Sequence, residues 1–323
     1  MDHSSTDIEA RFLYPDNWET TTMVNGRGQP LHCARAVPAG VKGHVLAVEG
    51  LGEFSQKYIE LARDFNRQSF AFHVFDRQGQ GLSGRNSANP MKLHCDDFRD
   101  DVDDIEQYAM RKIPRDGKPL ILLGHSTGGL LCIPALRRDQ ERAPHMRLFS
   151  GAVLTDPLLG FGDPRVKGRE ATIALLPLFG RKLREAFLPG AVRQWMRRDD
   201  PHARVTPAAY STDAARAGVH DYWQTKLPAL RVSFSTTGWL QEMSRAITTT
   251  REDGYIEAIS HPVTICTSDM KLYVDPVALQ KTGVRFTQGK FMNFPEGRHE
   301  LLMERDSIRD AIIQEVTRMA LKP

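Results

Sequence analysis

Ser126 is the residue of this chain best placed to act as a nucleophile. It lies at the centre of Gly124–Gly128 (GHSTG), which fits the pattern G-x-S-x-G. In this pattern a sharp strand-to-helix turn lifts the serine hydroxyl above the end of a sheet. The apolar run Leu120–Leu123 is typical of a strand buried on both faces, and the small, apolar residues from Gly129 onward begin a helix whose N-terminus faces the serine. The segment therefore predicts a nucleophilic serine rather than a turn that only packs.

A serine nucleophile needs a base and hydrogen-bond donors for the oxyanion that forms during attack. His299 follows the last predicted strand and precedes the predicted terminal helix, which is where the chain order Ser, Asp, His expects the base. For the oxyanion, the candidates are the backbone N–H groups of Leu51 and Thr127. Leu51 lies in a glycine-containing turn after a strand, and a plain strand-to-helix turn is the alternative interpretation.

The elements that must position these residues alternate between strands and helices. The predicted strands are Leu31–Val37, His44–Val48, Phe70–Phe75, Leu120–Leu123, Leu148–Thr155, Pro262–Thr267 and Phe286–Phe291, and the predicted helices are Tyr58–Gln68, Asp96–Lys112 and Ser307–Leu321. Residues 1 to about 20 are expected to be a loosely held lead-in. From Leu158 to Ala258 the alternation breaks, and helices interrupted by prolines are expected.

The pattern predicts an α/β protein with a mostly parallel sheet and helices on both faces. Residues 1–156 and 259–323 form the core, and residues 157–258 form an inserted helical cap or lid. Apolar cap residues such as Leu175 and Phe179 could line an acyl pocket or pack the cap against the sheet.

Composition excludes several classes of protein. A chain of 323 residues with a net charge of +3 gives no indication of nucleic-acid binding. The four cysteines have no paired spacing that would suggest zinc or a redox couple, and no apolar segment approaches the length of a membrane span. Because the start, MDHSSTDIEA, has neither a basic nor an apolar region, a cytoplasmic protein is expected.

An acidic run between Asp96 and Asp104 could suggest a metal site. The carboxylates spread over two helical turns and are mixed with Phe98, Val102 and Ile105 at core spacing. A solvated helix face is therefore predicted, and no metal site.

Four motifs occur in order along the chain. They are Glu49–Glu53 (EGLGE), Asp76–Ser83 (DRQGQGLS), Gly124–Gly129 (GHSTGG) and Arg298–Asp306 (RHELLMERD). Through them the whole chain resembles the α/β-hydrolase superfamily, in the branch of bacterial lysophospholipases, monoacylglycerol lipases and so-called serine aminopeptidases. The corresponding family patterns are H-G-x-G-E, D-x-R-G-x-G-x-S, G-H-S-M-G-G and R/Y-H-E-I-L-x-E-K-D. The resemblance implies the α/β-hydrolase fold and catalysis without a cofactor, but one scaffold hosts many esters.

Two positions depart from the family pattern. Glu49 replaces the usual histidine of the oxyanion loop, although the N–H donor of Leu51 does not depend on that side chain. An ungapped alignment of Pro262-Val263 and Val274–Pro276 with the family's P-V...D-x-V-V-D-P places Lys271 where the triad carboxylate should be. A lysine cannot hold the imidazole in the required tautomer or stabilise the imidazolium.

Three other carboxylates could act as the triad acid. Asp156 is the first choice, because it follows the strand after the nucleophile's strand, where some α/β-hydrolases carry their acid. Its alternatives are a turn residue before proline or an ion-pair partner of Lys271. Asp269 is the second choice and needs only a local shift of the strand end. Asp275 is better explained as the N-cap of a helix that begins at Pro276.

These expectations define a serine hydrolase that cleaves a carboxylic ester through an acyl-enzyme. The resemblance and the cap charge favour a lysophospholipid or monoacylglycerol, since residues 157–250 contain 14 lysines and arginines against 8 aspartates and glutamates. The same charge suggests contact with an anionic membrane, and an exposed basic surface without a ligand is the alternative. The runner-up is a small-molecule carboxylesterase, lactonase or amidase.

A different class of protein also fits part of the sequence. Lys271 at the acid position favours a hydrolase-like protein that binds a ligand without turnover. The intact Ser126, His299 and oxyanion glycines oppose this reading, because a receptor does not need all of them. The sequence does not predict the oligomeric state.

Overall fold

A mostly parallel sheet positions the candidate site. The computed structural model describes residues 8–186, 209–268 and 273–322. Its strands are β1 (Trp18–Val24), β2 (Pro30–Ala36), β3 (Gly43–Val48), β4 (Phe70–Phe75), β5 (Lys92–Leu93), β6 (Leu120–His125), β7 (Gly151–Thr155), β8 (Phe234–Ser235), β9 (Val263–Ser268) and β10 (Gly289–Phe294). Eight of these strands form one sheet in the order β1-β2-β4-β3-β6-β7-β9-β10, and β5 pairs with β8 separately. Strand β2 runs antiparallel to β1 and β4, and the other pairs are parallel.

Helices cover both faces of the sheet. They are α1 (Ile59–Arg67), α2 (Phe98–Lys112), α3 (Thr127–Gln140), α4 (Glu170–Ala174), α5 (Arg181–Arg184), α6 (Ala214–Ala217), α7 (Val219–Lys226), α8 (Thr237–Arg251), α9 (Pro276–Gly283) and α10 (Asp306–Leu321). Short 3-10 turns occupy Ala10–Phe12, Ser55–Tyr58, Pro144–Met146, Pro228–Leu230 and Leu301–Met303. Apolar residues of α2, α3 and α8 pack on one face of the sheet, and those of α1 and α10 pack on the other.

The central strands explain why three separate segments meet at one edge. All residues of β3, β6 and β7 are buried, as expected for parallel strands covered on both faces. Val48 at the end of β3 pairs with Gly124 of β6, and His125 pairs with Thr155 of β7. The residues that follow these strands therefore emerge side by side at the carboxyl edge, where open α/β sheets bind ligands.

The α/β architecture expected from the sequence is confirmed, with corrections to some of its elements. Strand β7 begins at Gly151 rather than Leu148. Strand β1 lies partly within the segment expected to be a loose lead-in. Among the described strands it lies at the edge of the sheet and pairs with β2 alone. Met23 is its buried residue, and because most of its other residues are exposed, its sequence gives no clear strand signal. The last strand begins at Gly289 rather than Phe286, because the backbone of Phe286 forms a turn: its N–H donates to Gly283 O, and its carbonyl accepts from Gly289 N–H.

The acidic helix α2 is less exposed than its composition suggests. Asp101 and Asp104 are buried, so the prediction of a solvated face is wrong for these two residues. Arg77 faces Asp101 at 3.4 Å, and Arg27 contacts Asp104 at 2.6 Å. Burial raises the pKa of Asp104 to about 7, against the opposing effect of Arg27. Within the described ranges, no cluster of histidine, cysteine and acidic side chains could hold a metal ion.

Helix α8 ties the predicted cap to the core. Its Met243 and Ile247 belong to the same apolar cluster as Leu131 and Leu136 of α3. Residues 187–208 of the predicted cap lie outside the described residues, and the boundaries of the core and cap stay a prediction. Among the residues described, no helix has both the length and the apolar character to cross a membrane. The cytoplasmic location also stays a prediction.

Candidate active site

Ser126 occupies a strained turn between β6 and α3. Its φ of 51° and ψ of −114° are unusual for a residue with a side chain. Three backbone hydrogen bonds hold it: its N–H donates to Thr155 O at 2.9 Å, and its carbonyl accepts from Leu130 and Leu158 N–H groups at 3.1 and 3.0 Å. The hydroxyl is thereby presented at the carboxyl edge of the sheet, as the G-x-S-x-G pattern requires.

Gly128 allows α3 to start directly beside the end of β3. A Cβ at this position would lie only 2.1 Å from Val48 O and 2.5 Å from Glu49 O. Since glycine has no Cβ, the backbone of α3 can approach the end of β3 and the loop that follows it this closely. This contact brings the N–H of Thr127 close to the segment that contains Leu51.

His299 lies within hydrogen-bonding distance of the serine. Its Nε2 is 3.0 Å from Ser126 Oγ, and its ring is buried, with 6% of the residue exposed. The rings of His125 and Tyr273 lie with their centroids 4.9 Å from that of His299. The backbone N–H of Glu300 donates to Tyr210 O at 3.0 Å, which fixes the loop after β10. The geometry allows the serine hydroxyl to donate its hydrogen to Nε2.

Asp156 is the carboxylate that faces the other nitrogen of His299. Its Oδ2 lies 3.7 Å from His299 Nδ1, which is an ion-pair distance but too long for a hydrogen bond. Asp156 has a φ of 40° and is buried. Its two oxygens accept hydrogen bonds from the N–H and hydroxyl of Ser268, at 2.9 and 2.6 Å. In the described part of the chain, no other carboxylate forms an ion pair with His299.

Of the two other candidate acids, Asp275 can be assigned a structural role, whereas Asp269 is not described by the structure. Asp269 lies outside the described residues, as does Lys271. Asp275 caps helix α9, because its side chain accepts from Val277 N–H at 3.1 Å. It also pairs with Lys167 at 2.8 Å. The expectation that Asp275 is an N-cap is confirmed.

Both candidate oxyanion donors border the same cavity as the serine and the histidine. Leu51 and Thr127 line it together with Ser126 and His299. Thr127 is the first residue of α3, and the first N–H groups of a helix have no acceptor within the helix. Within the described ranges, Leu51 N–H donates to no acceptor. These two N–H groups are therefore available to a ligand atom.

The walls of this cavity are mainly apolar and aromatic. They include Leu51, Leu158, Phe161, Tyr210, Trp239 and Tyr273. The rings of Tyr210 and Tyr273 stack with centroids 5.3 Å apart. Glu53 and Glu300 are the charged side chains among the described lining residues, which include neither lysine nor arginine. The part of the lining that the structure describes thus suits an uncharged group better than an anionic one.

A buried charge bridge that the sequence analysis missed lies behind the cavity. The ammonium of Lys57 pairs with the carboxylates of Glu53 and Glu300, the latter at 2.7 Å. All three side chains are almost fully buried. Glu53 also accepts hydrogen bonds from Tyr58 OH and Gly50 N–H, both at 2.7 Å. The bridge therefore connects the loop after β3 with the loop that carries His299.

His125 adds a neutral imidazole beside the bridge. Burial lowers its pKa to about 4, and the nearby His299 contributes in the same direction while Glu53 opposes it. Its Nδ1 lies 3.0 Å from Thr155 Oγ1. The residue before the serine is thus held between β6 and β7 as an uncharged group. In the sequence, its place directly before Ser126 in GHSTG was the one feature that could have indicated a position at the site.

The sheet order, the strained serine turn and the histidine after the last strand define an α/β-hydrolase. The family model for serine aminopeptidase, S33, matches residues 39–306, and the chain belongs to this family. It is 27% identical over 284 residues to the probable lysophospholipase L2 of Haemophilus influenzae, a match that covers 86% of this chain and 83% of that protein. It is also 34% identical to human monoglyceride lipase over 140 residues, and this aligned region covers 42% of each chain.

Solved structures confirm the fold. A soluble variant of monoglyceride lipase from Saccharomyces cerevisiae superposes with a TM-score of 0.72 at 18% identity, over 96% of this chain and 100% of that one. A thermostable carboxyl esterase from Bacillus coagulans gives a TM-score of 0.71 at 17% identity, over 95% and 100% of the two chains. The resemblance to the α/β-hydrolase branch inferred from the motifs is therefore confirmed.

Proposed function

We propose that this protein is a serine hydrolase that cleaves carboxylic esters through an acyl-enzyme. The observation that carries the proposal is the 3.0 Å distance between Ser126 Oγ and His299 Nε2. Ser126 lies on a strained turn, and both residues border a largely apolar cavity. Membership of a hydrolase family and similarity to proteins named lysophospholipase and monoglyceride lipase support it.

In the proposed mechanism, His299 Nε2 accepts the hydroxyl proton as Ser126 Oγ attacks the ester carbonyl. The N–H groups of Leu51 and Thr127 donate to the oxygen that becomes negatively charged. His299 then gives the proton to the leaving alcohol, and the acyl-enzyme forms. Water activated by His299 releases the acid. Asp156 stabilises the imidazolium during both halves of the reaction.

The proposed substrate class is a lipid monoester, either a monoacylglycerol or a lysophospholipid. Aromatic and aliphatic lining residues favour burial of acyl-chain carbons. Because Glu53 and Glu300 are the charged groups that border the described cavity, we expect an uncharged glycerol ester to be cleaved faster than a phosphate-bearing one. Measuring kcat/KM on a monoacylglycerol and on a lysophosphatidic acid with the same acyl chain tests this, and faster cleavage of the phosphate ester would contradict it.

Peripheral contact with an anionic membrane is a separate proposal. Leu175 and Phe179 are 83% and 79% exposed, and the exposed basic residues Arg181 and Lys182 follow them. Apolar side chains next to cations suit insertion among anionic headgroups. Co-sedimentation with vesicles should rise with the content of anionic lipid and fall with salt. Binding that is insensitive to both would contradict this proposal.

Labelling by a fluorophosphonate tests the central proposal. We expect the wild type to gain one adduct by intact mass and Ser126→Ala to gain none. If the folded wild type does not react, the serine is not activated, and a ligand-binding protein without turnover becomes the better interpretation.

A further inference from the structure

The peptide between Gly50 and Leu51 is held by a side chain from a different motif. Gln80 Nε2 donates to Gly50 O at 2.8 Å, and Arg77 Nη2 also donates to it, at 3.4 Å. This peptide is trans, so its carbonyl and its N–H point in opposite directions. The bond that directs Gly50 O towards Gln80 therefore also sets the direction of Leu51 N–H.

The amide of Gln80 contacts almost the whole loop after β3. Besides Gly50 O, its Nε2 faces Glu49 Oε1 at 2.6 Å and Glu53 O at 3.2 Å. Its Oε1 accepts from Gly52 N–H at 3.2 Å. Gln80 is 2% exposed, and it does not border the active-site cavity. It can therefore influence catalysis through the loop it holds and not by direct contact with a substrate in that cavity.

Glu49 fixes the orientation of that amide. Its Oε1 accepts from Gln80 Nε2 and from Arg77 N–H, the latter at 2.8 Å. An acceptor at this point requires the NH₂ group of Gln80 to face Glu49 and its oxygen to face Gly52. Glu49 is fully buried, and this burial, together with nearby Asp76, raises the pKa of its carboxyl well above the usual range. The acceptor oxygen is present whether or not the group is charged.

We propose that Gln80 and Glu49 are positioning residues that orient the Gly50–Leu51 peptide so that Leu51 N–H faces the oxyanion. The proposal rests on the serine mechanism above. In this proposal Glu49, which replaces the family's usual histidine, has a defined role. Its carboxyl orients the Gln80 amide so that the amide donates to Gly50 O. Without the amide, the longer contact from Arg77 Nη2 at 3.4 Å remains on Gly50 O. This weaker contact holds the peptide less firmly, so Leu51 N–H is less well aligned with the oxyanion in the transition state.

Steady-state kinetics of the Gln80→Ala variant of this chain test the proposal. We expect kcat to fall by about 10- to 100-fold, which is somewhat less than removal of an oxyanion donor costs, while KM changes little. Affinity for a trifluoromethyl ketone, which forms a tetrahedral oxyanion on the serine, should fall by a similar factor, and affinity for the product acid should not. Gln78→Ala is the matched control, because Gln78 lies in the same turn and contacts Arg27 and Asn25 instead.

Further variants keep the test decisive. Gln80→Met preserves volume without an amide and should behave as Gln80→Ala does. Glu49→Ala should lower kcat, and Glu49→Gln, which retains an acceptor oxygen, should restore most of it. Unchanged kcat and ketone affinity in folded Gln80 variants, with fluorophosphonate labelling of the wild type intact, would overturn this inference alone. Absence of labelling in the folded wild type would overturn the serine mechanism and this inference together.

Discussion

Replacing Asp156 with asparagine isolates the effect of its charge on His299. The variant keeps the size of the side chain and an oxygen that can accept from Ser268. At the 3.7 Å between Asp156 Oδ2 and His299 Nδ1, an effective dielectric constant of about 20 gives an attraction to the imidazolium of about 4 kcal/mol. Both side chains are buried, so solvent screening is weak. Since about 1.4 kcal/mol corresponds to tenfold in rate, we expect kcat/KM to fall by about 10³-fold.

The assay combines two readouts on the same protein preparations. One is the rate of fluorophosphonate labelling by intact mass, and the other is kcat/KM on a short p-nitrophenyl ester. Asp269→Asn tests the competing acid and should react at nearly the wild-type rate. Asp275→Asn is the matched control, because it makes the same change at the N-cap of α9, where asparagine also caps well.

Two results would refute this assignment. If folded Asp156→Asn reacts at the wild-type rate, its charge does not support His299, and the bonds from Ser268 are its purpose. If Asp269→Asn instead slows by several orders of magnitude, the acid lies after β9.

Three further predictions concern stability, measured by urea denaturation. Lys57→Met removes an ammonium that pairs with two buried carboxylates and should lower the free energy of unfolding by about 3–5 kcal/mol. Gly128→Ala places a methyl group 2.1 Å from Val48 O and should lower the free energy of unfolding by about 3 kcal/mol. His125 has a folded pKa of about 4 against an ordinary 6.5, so the unfolded chain takes up a proton first as the pH falls from 6.5 to 4. Wild-type stability should therefore decrease over this window by about 3 kcal/mol more than that of His125→Asn.

Matched substitutions at uncrowded or exposed positions serve as controls. Lys42→Met removes an exposed lysine and should leave stability nearly unchanged. Gly218→Ala adds a methyl group whose nearest neighbour lies 3.6 Å away and should be tolerated. His145→Asn removes an exposed histidine and should keep the wild-type pH dependence. A control that loses as much stability as its partner variant would show that the assigned contact is not the cause.

The serine turn could be predicted from the sequence because its determinants are local. A buried strand, two glycines and a helix start lie within one short segment, and each is visible in the composition around Ser126. The position of His299 follows from chain order and from the parallel sheet, since every parallel strand delivers its next residue to the same edge. The structure accordingly places Ser126 Oγ and His299 Nε2 3.0 Å apart.

The buried charges could not be predicted in the same way. Lys57 and Glu300 are far apart in the chain. Lys57 looks like an ordinary surface residue in its own segment, and although Glu300 lies in the motif Arg298–Asp306, the motif does not indicate its partner. Asp101 and Asp104 similarly form part of an acidic run, although each meets an arginine from another element. Local composition reports the sign of a charge but does not report the partner that allows its burial.

The proposed acid shows why the edge of a parallel sheet constrains an active site more tightly than any single strand does. Strand β7 lies between β6 and β9. Asp156 therefore follows the strand adjacent to β6, which ends at His125, just before Ser126. Its carboxylate is held by Ser268, the last residue of β9. A carboxylate at this boundary can approach His299 Nδ1 from the end of β7, while its hydrogen bonds come from the end of β9. With Asp156 as the proposed acid, a lysine at the aligned position of the family's acid is compatible with the proposed catalysis, because the end of the neighbouring strand can supply the charge to His299 Nδ1.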